Sequence, residues 1–355
     1  MSANTPPPST ASPMYRLHPY WYIACRTGEL RATPVARTIL GIPLVLFRDE
    51  TGSAKALVDR CPHRNVPLSF GRVTDGKLVC GYHGWSFDGD GACRDVPGFT
   101  GEPNHRTRCA SSHAVVEQQG YIWVFMSAGV TPDSRPFEFP HLATPGYTVV
   151  RRDLDAECSL HAMAENALDV PHTAFLHGGL FRSASVRNPI QAVIQRFRDR
   201  VEAEYIGEPR PTGIAARLLS PSGGLVTHFD RFFLPSIIQV EYRIGEENHI
   251  VLNGACTPIS ETHTRMFAVV TANTRVPGWL LKPILLPVGL RIFGQDQVVL
   301  RLQTQTIQAF GEEDFASTEI DLLGRHIKRL LRLAEAGQLP ETDDVVTTRD
   351  ITMMV

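Results

Sequence analysis

The sequence lacks the features that would mark a secreted, fibrous or nucleic-acid-binding protein. No basic start and apolar run open the chain, and its first fourteen residues are rich in Ser, Thr and Pro, so we expect residues 1–14 to form a disordered leader. The seven cysteines are widely spread, unlike a disulfide framework, which favours a reducing, cytoplasmic location. With 35 Lys+Arg against 37 Asp+Glu, no excess of positive charge would recruit nucleic acid or an anionic membrane.

Uninterrupted apolar runs and nucleotide-binding loops are also missing. The most apolar stretch, residues 276–293, contains three prolines, Lys282 and Arg291. Because proline breaks the helix that a membrane span needs, we predict a buried connection there, and no membrane span. The alternative is a lid that lines a pocket or touches a membrane. No Gly-x-Gly-x-x-Gly motif joins a strand to a helix, so neither a flavin nor a nicotinamide site is predicted.

Two kinds of pattern divide the 355 residues, a length that favours two domains. Short β-rich runs separated by turn residues predict an all-β domain over residues 15–130. Residues 131–148 contain four prolines and predict a linker. Residues 149–355 predict an antiparallel sheet framed by helices, so the fold class is α+β. Its expected helices cover 158–169, 295–309 and 315–336, and its strand-like runs cover 190–204, 224–233, 237–242, 249–255 and 264–272.

Two short motifs in the first domain each carry one cysteine and one histidine. A Cys-x-His motif is followed, after sixteen residues, by a Cys-x-x-His motif. In a Rieske-type [2Fe-2S] centre the two cysteines hold one iron and the two histidines hold the other. A structural zinc site instead usually pairs Cys-x2–4-Cys with His-x3–5-His, so the interleaved order favours the cluster. The candidate ligands are Cys61, His63, Cys80 and His83.

A second constellation lies in the next domain. Asp169 precedes His172 by three residues, and His177 follows five residues later. Two imidazoles and one carboxylate on one side of a metal leave open positions, which suits Fe(II) that binds O₂ beside a substrate. A His-x4-His pair alone is often solvent-facing. Asp169 favours the metal interpretation because a carboxylate can accept the N–H of the non-ligating nitrogen of His172.

In this order the motifs Cys61-x-His63, Cys80-x-x-His83 and Asn166-x-x-Asp169-x-x-His172-x4-His177 resemble those of the Rieske non-haem iron oxygenases, from Trp21 onward. The resemblance implies a Rieske domain followed by a helix-grip catalytic domain. It also implies a third iron ligand on a late helix, which Asp296 in Asp296-Gln297-Val298-Val299 matches. The competing carboxylates, which also fit a solvated helix face, are Glu312, Asp314 and Asp321.

The same resemblance implies the cofactors and partners. They are a [2Fe-2S] cluster, a mononuclear Fe(II), O₂ as co-substrate, and an external reductase that acts through a ferredoxin. It implies catalytic roles for Asp169 and Asn166, and a homotrimer in which Asp169 connects His83 of one subunit to His172 of the next. The alternative for Asp169 is a helix cap near Pro171. The short interval from Asn166 to Asp169 resembles the monooxygenase, demethylase and N-oxygenase subunits more than the ring dihydroxylases.

Two positions depart from the family pattern, and the substrate is left open. Asn65 stands where the family commonly has Gly, and Gly81 stands where it often has Pro; both tolerate unusual backbone angles. A small, apolar or aromatic organic substrate would be hydroxylated, demethylated or N-oxygenated. The alternatives are a Rieske-type electron carrier and a zinc-binding structural protein. The candidate pocket residues, which core packing explains equally well, are Phe175, Leu176, Phe232, Phe233 and Phe267.

Overall fold

The computed structural model describes residues 14–178, 188–208, 226–245, 248–275, 277–342 and 347–354. The chain forms two compact units, Arg16–Glu138 and Phe139–Val355, and Met14 and Tyr15 belong to the second. The division after Glu138 lies within the predicted linker. Residues 1–13 of the predicted leader lie outside the described residues.

The first unit is built from three small antiparallel sheets. One has the order β1-β11-β10, the second β2-β3-β4-β9 and the third β5-β6-β7-β8. The strands are β1 (Trp21–Arg26), β2 (Val35–Ile39), β3 (Ile42–Arg48), β4 (Ala54–Val58), β5 (Arg72–Thr74), β6 (Lys77–Val79), β7 (Ser86–Phe87), β8 (Cys93–Asp95), β9 (Ser112–His113), β10 (Val115–Gln118) and β11 (Tyr121–Phe125).

Type I′ turns join neighbouring strands of this unit. Between β5 and β6, Asp75 and Gly76 both have positive φ angles, 50° and 69°. This geometry matches the right-handed twist of the strands, so a two-residue turn closes the hairpin. The hairpin lies between the two Cys/His motifs in the sequence and brings their loops to the same end of the third sheet.

The second unit contains one eight-stranded antiparallel sheet in the order β12-β18-β17-β16-β15-β14-β13-β19. Each strand is hydrogen-bonded to its neighbour with antiparallel register. The strands are β12 (Thr148–Ala156), β13 (Pro189–Arg196), β14 (Arg200–Ile206), β15 (Val226–Phe233), β16 (Ile237–Ile244), β17 (Asn248–Ser260), β18 (His263–Asn273) and β19 (Thr347–Met354).

In the described part of this unit, three α-helices accompany the sheet. The first, α1 (Leu160–Ala167), begins after Ser159, whose hydroxyl accepts a hydrogen bond from the Ala162 N–H at 3.2 Å. The second, α2 (Gly278–Phe310), ends before Gly311, which has a φ of 84° that glycine adopts without strain. The third, α3 (Gly324–Glu335), packs on α1, and the His161 Nε2 atom lies 2.8 Å from the Gly324 carbonyl oxygen. This unit therefore has the predicted sheet framed by helices.

Helix α2 lies along the edge strand β12. The Gln297 amide donates a hydrogen bond to the Asp155 carbonyl, and the Thr304 hydroxyl donates one to the Glu157 carbonyl at 2.9 Å. At the other end of β12, a Cβ on Gly278 would lie 2.1 Å from the Thr148 Oγ1 atom, so a larger residue would require the Thr148 side chain to move. The helix thus covers carbonyl groups that an edge strand would otherwise leave exposed.

The prediction for residues 276–293 was wrong. These residues form no buried connection: from Gly278 they are the first half of α2, and the helix continues through Pro283 and Pro287. The Trp279 side chain is 73% exposed and Leu290 is 46% exposed, so this half of the helix is not core. Within the described residues, no helix combines the length and apolar character needed to cross a membrane.

Several predicted elements have different bounds in the structure. The run 190–204 is a hairpin of β13 and β14, and the helix predicted from residue 315 begins only at Gly324. The sequence patterns did not predict β12 or β19. Both carry charged residues, such as Arg151 and Asp153 in β12, that hide the alternation of a strand.

Candidate metal centres

The two Cys/His motifs of the first unit form loops with the same backbone hydrogen bond. The Asn65 N–H donates to the Cys61 carbonyl at 2.9 Å, and the Gly84 N–H donates to the Cys80 carbonyl at 3.1 Å. Both donors have positive φ angles, 60° for Asn65 and 74° for Gly84. Asn is the non-glycine residue that best tolerates this region, so the departure at Asn65 leaves the loop geometry intact.

These loops place two cysteines and two histidines at one end of the unit. The thiols of Cys61 and Cys80 are 2% exposed and belong to the apolar core formed with Leu68, Leu78 and Phe87. Burial is the main effect that raises the pKa of the Cys61 thiol to about 11. A bound cation would offset that effect, because a metal stabilises the thiolate.

The histidine rings of the two loops lie against each other in an edge-to-face arrangement. The ring centroids of His63 and His83 are 4.5 Å apart, and Trp85 stacks on His63 at 4.6 Å with an interplanar angle of 4°. The His63 Nδ1 atom is buried and has no hydrogen-bond partner among the described residues. A buried ring nitrogen without a partner is costly unless it binds something, and a metal ligand role satisfies it. The four residues therefore fit a two-iron cluster.

The second unit brings His172, His177 and Asp296 together. Their ligand atoms all lie within 4.8 Å of one another. The His177 Nε2 atom is 3.1 Å from Asp296 Oδ1, and the two histidine Nε2 atoms are 3.2 Å apart. His172 lies on a short 3-10 helix, Pro171–Ala174, directly after α1, whereas Asp296 lies on α2.

The far nitrogen of each histidine is held by a neighbouring oxygen. The Nδ1 atom of His172 lies 3.2 Å from Asp169 Oδ2, and the Nδ1 atom of His177 lies 3.0 Å from Gln295 Oε1. A carboxylate oxygen can only accept, so the His172 Nδ1 atom is the donor and its Nε2 atom faces the centre. The same reasoning orients His177 when the Gln295 amide presents its oxygen. Such outer partners fix the tautomer of a metal-binding histidine.

The electrostatics of this cluster favour a cation at its centre. Two Nε2 electron pairs and the Asp296 carboxylate would repel one another unless a positive charge lies between them. Burial raises the pKa of the Asp296 carboxyl, and the nearby His177 and His172 oppose that effect. Burial lowers the pKa of His172, but the hydrogen bond and charge of Asp169 outweigh it, so the net shift is upward. The three side chains fit a divalent metal.

The other predicted residues have different environments. The Asn166 amide lies 3.5 Å from Asp296 Oδ1, which places Asn166 beside the cluster. The competing carboxylates do not join it: Asp314 is exposed, and Asp321 accepts a hydrogen bond from the Thr318 hydroxyl at 3.1 Å. The sequence did not predict the contact between Gln295 and His177, although Gln295 directly precedes the candidate ligand Asp296.

The comparisons with known proteins agree with this geometry. Residues 20–110 match the Rieske [2Fe-2S] domain, and residues 156–336 match the vanillate O-demethylase oxygenase C-terminal domain. The chain belongs to the Rieske non-haem iron oxygenase family. The predicted resemblance and the α+β arrangement are confirmed, and the protein is an enzyme, an oxygenase subunit.

Two relatives of this oxygenase match it over most of its length. It is 27% identical to the vanillate O-demethylase oxygenase subunit of Pseudomonas sp. (strain HR199 / DSM 7063), over 93% of this chain and 98% of that protein. It is 30% identical to the 3-chlorobenzoate-3,4-dioxygenase oxygenase subunit of Comamonas testosteroni, over 70% of this chain and 57% of that protein.

Two groups of solved structures share the fold of the oxygenase. Dicamba monooxygenase bound to 3,6-dichlorosalicylic acid superimposes with a TM-score of 0.77 at 24% identity, over 91% of this chain and 98% of that one. Pseudomonas putida CBB5 NdmA with caffeine superimposes with a TM-score of 0.75 at 23% identity, over 91% and 92%.

Proposed function

We propose that this chain is the oxygenase component of an aromatic demethylase that uses O₂ and externally supplied electrons. The observation that carries the proposal is the convergence of His172, His177 and Asp296, with the outer nitrogen of each histidine held by Asp169 or Gln295. An electron carrier with a cluster alone would not need this second constellation.

In the proposed enzyme the first unit holds a Rieske cluster. Cys61 and Cys80 supply thiolates from the buried side, and His63 and His83 supply imidazoles from the other side. The indole of Trp85, stacked on His63, keeps water away from that ring. Imidazole ligation gives such a cluster a higher potential than four thiolates would give.

The second unit would hold Fe(II) through His172, His177 and Asp296, and such an iron supplies O₂ activation beside the substrate. Asp169 and Gln295 keep the two imidazoles in the ligating orientation. Asn166 contacts the third ligand: its amide nitrogen is 3.5 Å from Asp296 Oδ1, where it can donate a hydrogen bond to the carboxylate. Asp169 has a side chain that is 27% exposed, so a group from outside the unit can reach it.

The names of the relatives support demethylation of a small aromatic molecule. Vanillate and dicamba O-demethylases are among them, and NdmA was solved with the methylated purines caffeine and theobromine. Vanillate is an anion at neutral pH, whereas caffeine is uncharged. The names therefore support the reaction, and they leave the charge of the substrate open.

The partners we propose are a separate reductase and a ferredoxin, together with two further copies of this chain. No flavin or nicotinamide motif is present in the sequence, so electrons must come from another protein. A homotrimer would bring the cluster of one subunit to the Asp169 of its neighbour, and head-to-tail contacts of this kind close into rings. The reducing location we expect is the cytoplasm.

The test is a metal analysis combined with product detection. The purified protein should be red-brown, with three irons and two acid-labile sulfides per chain. With a surrogate reductase, methoxyarenes or N-methyl heterocycles should stimulate O₂ uptake and release one formaldehyde per O₂ consumed. Zinc without sulfide, or O₂ uptake that no methylated aromatic compound stimulates, would overturn the proposal.

A further inference from the structure

The first half of α2, residues 278–293, presents large apolar side chains to the solvent. Trp279 is 73% exposed, Leu280 is 44% exposed and Leu290 is 46% exposed. Single exposed apolar residues are common on protein surfaces, whereas several on one short segment mark a surface that binds something. We name residues 278–293 the exposed segment.

The apolar residues of the exposed segment follow the period of the helix. Four of them are spaced four, three and four positions apart, and residues at this spacing lie on one face of a helix. They are Trp279, Pro283, Leu286 and Leu290. All except the half-buried Leu286 are exposed. They form an apolar stripe, about three helical turns long, that can lie flat against another surface.

The charged residues of the exposed segment are all positive. They are Lys282 and Arg291, and both side chains are exposed. By helical spacing Lys282 lies on one side of the apolar stripe and Arg291 on the other. No aspartate or glutamate occurs from residue 262 to residue 295, and among the described residues neither cation has an ion-pair partner. The segment therefore fits a surface that is apolar and carries negative charge.

Trp279 adds a second indication of a lipid surface. Its indole combines a large apolar ring with one N–H donor, and such rings are enriched at the level of the lipid headgroups. Lys282 follows within one turn of the helix, where its long side chain can reach a phosphate while its methylene groups stay among apolar atoms. An apolar face with tryptophan and leucine, flanked by lysine and arginine, is typical of helices that lie in a membrane interface.

Two prolines limit how deeply the segment can enter a bilayer. Pro283 and Pro287 lack an N–H, so the carbonyl groups of Trp279 and Pro283 have no helical donor. Such carbonyls would be costly in the hydrocarbon core, where no water replaces the missing bond. Among the headgroups water still reaches them. The segment thus fits a position on the bilayer surface and not across it.

We propose that the exposed segment docks the protein on the surface of a bilayer that contains anionic lipid. The apolar stripe enters the headgroup layer, and Lys282 and Arg291 contact lipid phosphates. This partner goes beyond the proposed function, because demethylation does not require a membrane. The net charge of −2 does not oppose it: at physiological salt a charge acts over only about 8 Å, so the local charge of the segment decides.

The docking surface and the candidate iron site belong to the same helix. Leu290 precedes Asp296 by six residues, which is about 9 Å of helix. Docking would therefore hold the iron site close to the bilayer, where apolar aromatic molecules concentrate. This consequence alone rests on the proposed function. Formaldehyde release tests demethylation without lipid, so the docking and the reaction can fail independently.

Co-sedimentation with lipid vesicles tests the docking of the full-length holoenzyme. Vesicles of phosphatidylcholine with about one quarter phosphatidylglycerol are compared with vesicles of phosphatidylcholine alone, at low and at high salt. We expect the protein to bind the anionic vesicles about tenfold more tightly or better, and high salt to weaken that binding. Failure to bind the anionic vesicles, or equal binding to both kinds, overturns the proposal.

Fluorescence quenching identifies the part of the chain that touches the lipid. Trp279 is exposed, whereas Trp21 and Trp123 are buried and Trp85 is stacked on His63. Lipids brominated on the acyl chain close to the headgroup should quench the bound wild type. The quenching should disappear in Trp279→Phe, which keeps an apolar ring and should still bind. Quenching that persists in this variant places the contact elsewhere and overturns the proposal.

Paired variants separate the apolar and the charged contributions. Leu290→Ser should weaken binding to the anionic vesicles about tenfold. Lys282→Gln and Arg291→Gln should each weaken it about fivefold. The controls lie on the second half of the same helix: Phe310→Ser changes a residue that is 80% exposed, and Arg301→Gln removes an exposed cation. Equal effects of the variants and their controls overturn the proposal.

A second copy of the chain is the competing occupant of the apolar stripe. If the stripe were the contact between copies, Leu290→Ser would shift the protein to smaller species in the absence of lipid. We expect sedimentation of this variant to match the wild type, with the visible absorption of the cluster unchanged as evidence of folding. A shift to smaller species assigns the stripe to a subunit interface and overturns the docking proposal.

Discussion

Each histidine of the candidate iron site uses one ring nitrogen for a protein partner and turns the other toward Asp296. The partner of His172 is a charged carboxylate, and the partner of His177 is a neutral amide. Asp169 therefore places a negative charge beside His172, whereas Gln295 orients His177 without adding charge. This asymmetry gives the residues of the site different roles that substitution can separate.

Substituting any of the three converging residues should remove the mononuclear iron. His172→Ala, His177→Ala and Asp296→Ala each leave two ligands, too few to retain Fe(II) at micromolar protein. We expect one iron per chain to be lost and turnover to be abolished, while the visible absorption of the cluster stays unchanged. The control is Asp314→Ala, which removes an exposed carboxylate that does not belong to the cluster. Full iron occupancy in Asp296→Ala would show that another residue is the third ligand.

Gln295 should contribute to metal affinity through His177. Gln295→Ala removes the oxygen 3.0 Å from the His177 Nδ1 atom and lets the buried ring turn. Loss of such an outer partner typically weakens metal binding by about 10- to 100-fold. Competition with a chelator measures the Fe(II) affinity, and Gln305→Ala, an exposed change on the same helix, is the control. Equal affinities in the two variants would contradict a role for Gln295.

Motif spacing was enough to select the residues that are close in sequence or that match a family pattern. His172 and Asp169 are three residues apart, so a local turn brings them together. Gln295 and His177 are 118 residues apart, and Glu208 and His228 are 20 residues apart on different segments. These contacts exist only because helix packing and strand register create them, and no local pattern encodes either one.

At the scale of elements, each Cys/His loop contains one residue with a positive φ angle, Asn65 in the first loop and Gly84 in the second. Asn65 has a φ of 60°, and its side-chain oxygen accepts a hydrogen bond from Arg60 Nε at 2.8 Å. Asn65→Gly should keep the cluster bound, because glycine adopts this angle freely. Asn65→Val should cost about 1–2 kcal/mol and release the cluster at a lower temperature, because a β-branched residue is strained there.

Absorbance of the cluster during heating measures this difference. Asn104→Val places the same side chain at an exposed position and controls for the general effect of valine. Release of the cluster from Asn65→Val at the wild-type temperature would show that the positive φ angle is not required.

Strand β15 carries a pH-dependent contribution to stability through His228. Glu208, Asp230 and the rings of Tyr205 and Tyr242 surround this imidazole, and the two carboxylates raise its pKa to about 9. The stabilisation is fully present below the unfolded pKa of about 6.5 and is lost as the pH rises through about 9. Across this range it amounts to about 3 kcal/mol, at about 1.36 kcal/mol per pKa unit.

Denaturant unfolding of the wild type and of His228→Gln at several pH values isolates this contribution. The difference between the two free energies of unfolding should shrink between pH 6.5 and 9.5. A difference that is independent of pH would contradict a charged His228. The comparison subtracts the titration of all other groups, which both proteins share.

The elements that were predicted correctly are those with a clear apolar period. In strand β13 the buried residues Ile190, Ala192 and Ile194 alternate with less buried ones, and this pattern is visible in the sequence. Helix α2 was predicted only from residue 295, because Pro283 and Pro287 argue against a helix when read alone. The structure tolerates them because the first half of α2 is a largely exposed helix, where lost hydrogen bonds are replaced by water.

At the scale of the molecule, each compact unit contains one candidate centre, and neither unit contains both. An electron from the cluster must therefore travel between units. In the proposed trimer that path crosses from one subunit to the next through Asp169. The side chain of this residue contacts His172 and is still 27% exposed, as a connecting group must be.

Asp169→Asn should slow electron transfer without unloading either centre. Asp169 Oδ2 accepts hydrogen bonds from the His172 backbone N–H at 3.1 Å and its ring at 3.2 Å, and an asparagine oxygen can accept both. We expect three irons per chain and an intact trimer by sedimentation, because charge is lost and shape is kept. Single-turnover oxidation of the pre-reduced cluster, with substrate and O₂ present, should slow at least tenfold, because a neutral amide cannot make a charge-assisted contact with the neighbouring histidine. An unchanged oxidation rate, or a fully active monomer, would show that electrons reach the iron by another path.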